Sequence, residues 1–128
     1  MSKSVDRARR MLALQEQMHR IERWKLLELQ GRLAELDTLR QDLMAALNDD
    51  DALQGLFLAA TARRLTSIAR EADDIGQQEQ LQLERVGEQA TRLVCAERLH
   101  HTVEEEARRA SERLALLDII DRLKQDRF

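Results

Sequence analysis

The chain of 128 residues contains no proline, no tyrosine, four glycines and a single cysteine. Each shortage excludes something. Without proline, no residue locks the backbone dihedral or removes an amide donor, so nothing forces a helix to kink. The one cysteine, Cys95, excludes an intrachain disulfide and a zinc site built from clustered cysteines. It fits a reducing compartment. Aromatic side chains are limited to Trp24, Phe57 and Phe128, 2% of the chain. A compact core of this size draws on several bulky aromatics, because these bury the most area per residue. A globule is therefore disfavoured. No run approaches about 18 uninterrupted apolar residues, so none reads as a membrane span. The opening residues lack the apolar stretch of a signal peptide, and none is expected.

What is present is charge, at 35%, alongside 43% hydrophobic residues dominated by leucine and alanine. That mixture belongs to long helices or a coiled coil. Regular apolar spacing at this content can bury a seam, which argues against disorder. The length fits one domain. Net charge is −3 but uneven, since residues 1–25 carry seven bases against three acids and the remainder is −7. Overall the balance predicts neither nucleic-acid nor membrane binding. The basic start at Arg7, Arg9 and Arg10 suits an acidic partner or a membrane surface, or is a solvated helix face.

Apolar spacing predicts a first helix over about 4–47. Ser4 can cap it, and Asp6 suits the positive end of its dipole. Leu26, Leu29, Leu33, Leu36, Leu43 and Leu47 form a heptad stripe in which Arg40 fills one position. Met11, Leu14, Met18 and Ile21 form a stripe of different phase. Joining the two requires a four-residue stutter near Trp24, where a supercoil locally unwinds. At "LNDDDAL" (47–53) the pattern is interrupted. Asn48 tolerates the left-handed conformation that ends helices, and Asp50 or Asp51 can cap the next one. A turn over 48–51 and a second helix over about 52–125 follow. The fold class expected is all-α: a long antiparallel two-helix coiled-coil hairpin with unequal arms. One continuous rod is the alternative. Gly76 and Gly87 are weak points in the second helix, but without proline it is expected to continue through them.

A turn near Asp49 pairs residue n with about 99 − n. The last 30 or so residues of the second helix then overhang by roughly 45 Å at 1.5 Å per residue. Yet "LALLDIIDRL" (114–123) is apolar nearly all round, with Leu116, Leu117, Ile119 and Ile120 unable to share one stripe. Just after the turn, Leu56, Phe57 and Leu58 advance by about 100° each, and one neighbouring helix cannot cover all three. Both places are candidate protein contacts. Self-association in a homo-oligomer would also bury them.

Two Glu-x-x-His pairs, Glu16/His19 and Glu97/His100, have the spacing of di-iron bundle ligands. The expected pairing sets position 16 opposite about 83, roughly 21 Å along the axis from Glu97, so no metal site is expected. In "CAERLHHTVEEE", i,i+4 pairs such as His100–Glu104 and Glu104–Arg108 read as surface charge interactions. Cys95, beside a seam position, reads as a buried small apolar residue rather than a nucleophile. No phosphate loop or hydrolase motif is present, and a thin hairpin offers no water-excluding pocket. No catalytic residue, cofactor, nucleic acid or small-molecule substrate is expected.

The stretch "RMLALQEQMHRIERWKLLELQGRLAELDTLRQDL" (10–43), with "ARRLTSIAREADDI" (62–75) and "VEEEARRASERLALLD" (103–118), resembles the FliJ/YscO family. These are small coiled-coil stalk proteins of flagellar and other type III export machines. The resemblance implies a non-enzymatic cytoplasmic protein, peripheral to the inner membrane through the export apparatus. Its partners would be a hexameric export ATPase, an export gate protein and export chaperones. Arg7, Arg9, Arg10 and the apolar end at Leu114–Leu123 would then face the ATPase, and Leu56–Leu58 the gate or chaperones. A self-associating structural scaffold without an ATPase partner is the alternative, and a homodimer is compatible with either.

Overall fold

The computed structural model describes residues 3–48 and 55–127, except for the side chain of Leu56. It consists of two long helices, α1 (Lys3–Leu47) and α2 (Gly55–Asp126). The chain is an all-α helical hairpin with unequal arms, of 45 and 72 residues. Asp6 lies in the first turn of α1 and Lys124 in the last turn of α2, each at the end its charge favours. The amide of Asn48 donates to the carbonyls of Met44 and Ala45, both at 3.2 Å, closing α1. The rest of the expected turn, 49–51, and the expected start of the second helix near Ala52 lie outside the described residues. α2 runs unbroken through Gly76 and Gly87.

Two compact units are present: Met1–His19 with Gln89–Phe128 as unit 1, and Arg20–Glu88 as unit 2. In unit 2 the helices pair antiparallel through a seam of Leu26, Leu29, Leu33, Leu36 and Leu43 against Leu65, Ile68, Ala72 and Ile75. Leu36 is 2% exposed and is the largest fully buried side chain. Above this apolar stretch the seam turns polar. Gln82, 4% exposed, donates its amide to the Glu22 carbonyl at 2.9 Å and also to the Glu22 carboxylate. On the flank, Arg32 reaches Glu71 at 2.6 Å and Glu35 at 3.2 Å. Hydrogen bonds donated by Arg32 to both carboxylates, Glu71 first, raise the Arg32 pKa.

In unit 1, Ala8 and Ala96 are buried, with Leu12, Leu93 and Val103 partly covered. Gln89 is 4% exposed and donates its amide to the side-chain oxygen of Gln15. His19 Nδ1 and His100 Nε2 are buried and make no hydrogen bond among the described residues. His100 Nε2 does lie 3.2 Å from a Glu104 oxygen, so the two groups are close but poorly aligned for a hydrogen bond.

Three expectations are corrected here. First, α1 has no change of phase near Trp24. Counting heptads back from Leu26 reaches Glu22, His19, Gln15, Leu12, Ala8 and Val5, and each of these is at least partly covered. Met11, Leu14 and Ile21 are about half exposed instead. A phase change would unwind the supercoil. Hydrogen bonds from Gln82 and Gln89 remove much of the cost of keeping Glu22 and Gln15 inside. Second, the pairing is centred near residue 52 rather than 49, since Glu22 faces Gln82 and Gln15 faces Gln89. The polar seam layers mark this register. Third, Cys95 is exposed. Its neighbour Ala96 takes the inward position.

Candidate partner-binding surfaces

The longest uncovered surface in unit 1 is the end of α2. Every residue from Arg108 to Arg127 is exposed. Leu114, Leu116, Leu117, Ile119, Ile120 and Leu123 are all among them, Leu114 at 69%. Helix propensity explains why the segment stays helical, since leucine, arginine and glutamate lose little rotamer freedom in a helix. It does not explain the apolar content. Polar side chains such as Asp118 and Arg122 pair on one side, at 3.3 Å. The apolar residues occupy most of the remaining circumference. No other helix among the described residues of unit 1 covers them.

The basic start lies elsewhere in unit 1. Arg7, Arg9 and Arg10 are exposed. Arg9 stands 3.9 Å from Asp6, and Arg7 borders a shallow groove formed by Ser4, Ala8, Met11, Leu99 and Val103. From Val103 to Leu116 is thirteen residues, about 20 Å of helix. The arginines and the apolar end are therefore two surfaces, not one. Between them, Glu105 accepts a hydrogen bond from Arg108, which lowers the Glu105 pKa. The sequence suggests Glu104 as the partner of Arg108; the contact is with Glu105, one turn back at i,i+3.

In unit 2, Phe57 and Leu58 are about 40% exposed near the start of α2. The side chain of Leu56 lies outside the described residues. A further surface on α1 is not evident from hydrophobic spacing alone. Trp24 is 60% exposed and Leu27 63%, with Ile21, Arg20 and Arg23 beside them. The apparent stripe of Met11, Leu14, Met18 and Ile21 masks it, because it invites reading these residues as core. Counting heptads back from the leucine run would have placed Trp24 and Leu27 outside.

Glu16 and Glu97 are exposed, whereas His19 and His100 are partly covered. Among the described residues no group of three or more His, Cys, Asp or Glu side chains is placed to hold a metal ion. Nor is any helix among them long and apolar enough to cross a membrane. No family model, curated protein or solved structure matches the chain.

Proposed function

We propose that this chain is a non-enzymatic coiled-coil component of a flagellar or other type III protein export apparatus. It acts as a stalk that binds the export ATPase and an export gate protein or chaperones. The observation that carries this reading is the bare end of α2, where six large apolar side chains stand exposed between Leu114 and Leu123. A solvated helix does not need them, and a host that encloses the helix does. An ATPase hexamer supplies such a host. Arg7, Arg9 and Arg10 add a separate basic surface for an acidic rim. Phe57 and Leu58, with Leu56 adjacent in sequence, form the surface for the gate or chaperones. The role is cytoplasmic, peripheral to the inner membrane through the apparatus.

The test is binding of the purified chain to a purified export ATPase. The double variant Leu116→Gln, Ile120→Gln should weaken binding by at least about tenfold, as loss of central apolar anchors does. Charge reversal at Arg7, Arg9 and Arg10 should weaken it less and mainly at low salt. Full binding by the tail variant, with its helix content intact by circular dichroism, would sink the assignment.

A second reading, a self-associating structural scaffold, is favoured by the exposed tryptophan face of α1 in unit 2.

A further inference from the structure

The outer face of α1 in unit 2 carries a second ordered stripe. Arg20, Trp24, Leu27, Gly31, Ala34 and Thr38 recur at steps of three and four, and Asp42 follows four residues on. Gly31 stands about 200° round the helix from both Leu29 and Leu33, so this stripe lies opposite the seam. Every member is exposed. A Cβ placed on Gly31 would meet nothing within 4 Å.

The two halves of the stripe are complementary about Gly31. Large apolar side chains, Trp24 and Leu27, precede the glycine, and small ones, Ala34 and Thr38, follow it. Thr38 is held flat by its own hydroxyl, which donates to the Ala34 carbonyl at 3.1 Å. Positive charge stands at one end, Arg20, and negative charge at the other, Asp42. Among the described residues neither has an ion-pair partner, nor does Arg23. By contrast Lys25, Arg32 and Arg40 are all paired within the chain. Arg20 and Asp42 are thus charges of opposite sign, free of partners among the described residues, at opposite ends of one stripe.

We infer that this face binds a second copy of the chain, with the two α1 helices antiparallel across a two-fold axis at Gly31. Each Trp24 then covers the hollow over Ala34 and Thr38 of its mate. Each Leu27 meets Ala34, and each Arg20 meets Asp42. The glycine lets the two backbones approach where the helices cross. Contacts that reciprocate in this way are what a two-fold interface demands. A tryptophan flanked by arginine is also the composition of an interface anchor. The two faces together would bury on the order of 1,000 Å², the lower edge of a specific contact, so the dimer is weak and concentration-dependent. The contact does not depend on whether the chain binds an ATPase.

The experiment is sedimentation velocity on the full chain over a concentration series, with circular dichroism on every variant. The wild type should move from monomer mass towards twice that mass as concentration rises. Gly31→Leu fills open space, so its helix content should hold while association falls by at least about tenfold. Arg20→Asp and Asp42→Arg should each weaken association, and the double variant should recover it, because the charge pair is restored with reversed sign. A chain that stays monomeric at every concentration overturns the inference. So does a dimer that ignores Gly31→Leu, or single charge variants that the double variant fails to rescue. Loss of the dimer on Leu116→Gln, Ile120→Gln with none on Gly31→Leu would assign self-association to the end of α2 and overturn it as well.

Discussion

The seam of unit 2 and the last twenty residues of α2 invert the usual relation between side-chain chemistry and burial. In the seam, Gln82 is 4% exposed and Thr61 5%. In the terminal segment, Leu114, Leu116 and Leu123 are more than half exposed. Both segments are helical and both have apolar residues at helical spacing. The difference is the presence of a facing helix. Burial in a two-stranded structure is set by position in the heptad, and the chemistry of the residue then decides what that burial costs. A glutamine inside the seam is tolerable because its amide finds Glu22. A leucine outside has no cost in the isolated chain beyond the partner it attracts.

Shortening a seam leucine should sharpen this contrast most. Leu36→Ala should cost about 2–4 kcal/mol of unfolding free energy, read from urea melts followed by circular dichroism. A loss below about 0.5 kcal/mol, the range of surface substitutions, would mean the leucine seam does not hold unit 2 together. Gln82→Ala ranks next. It removes the hydrogen bonds from Gln82 to the Glu22 carbonyl and carboxylate and should cost about 1–2 kcal/mol. No change in the urea midpoint would show that the polar layer is decorative.

Acidification acts on the same layer with a smaller effect. The Gln82 hydrogen bond holds the Glu22 carboxyl below the usual carboxylate range, and the Lys25 charge adds to this. A lowered folded-state pKa contributes stability that is present above the unfolded value, about 4.3 for glutamate, and is lost as pH falls through the folded value. Stability should therefore drop on acidification through that window. Glu22→Gln should remove part of the slope; an unchanged slope would assign it to other carboxylates. The smallest effect belongs to the exposed end. Leu117→Ala should shift stability by no more than about 0.5 kcal/mol in the monomer. A larger loss would mean that the end of α2 is packed in solution.

The helices, their antiparallel pairing and the continuity of α2 past Gly76 were legible in the sequence. A chain without proline and with leucines at steps of three and four allows little else. The register was not. It depends on Gln15, Glu22, Gln82 and Gln89, and polar residues carry no apolar signal to mark them as inward. Met11, Leu14 and Ile21 carry that signal but face outward. Hydrophobic spacing alone therefore proposed a stutter that the heptad count does not need. Exposed apolar residues after Leu114 were legible because they exceed what one stripe can bury. The face of Trp24 was hidden until the register was fixed, since outside is defined only relative to the seam.

The Glu22–Gln82 layer also has a mechanical consequence. Apolar seams are nearly periodic, so two helices can slide by one heptad and find leucine against leucine again. A slide in unit 2 would carry Gln82 to the level of Leu29 or Gln15, away from the carbonyl it now grips. The layer behaves as a detent. A pull along one strand is passed to the other as displacement instead of being lost as slip, and the detent loosens as acid protonates Glu22.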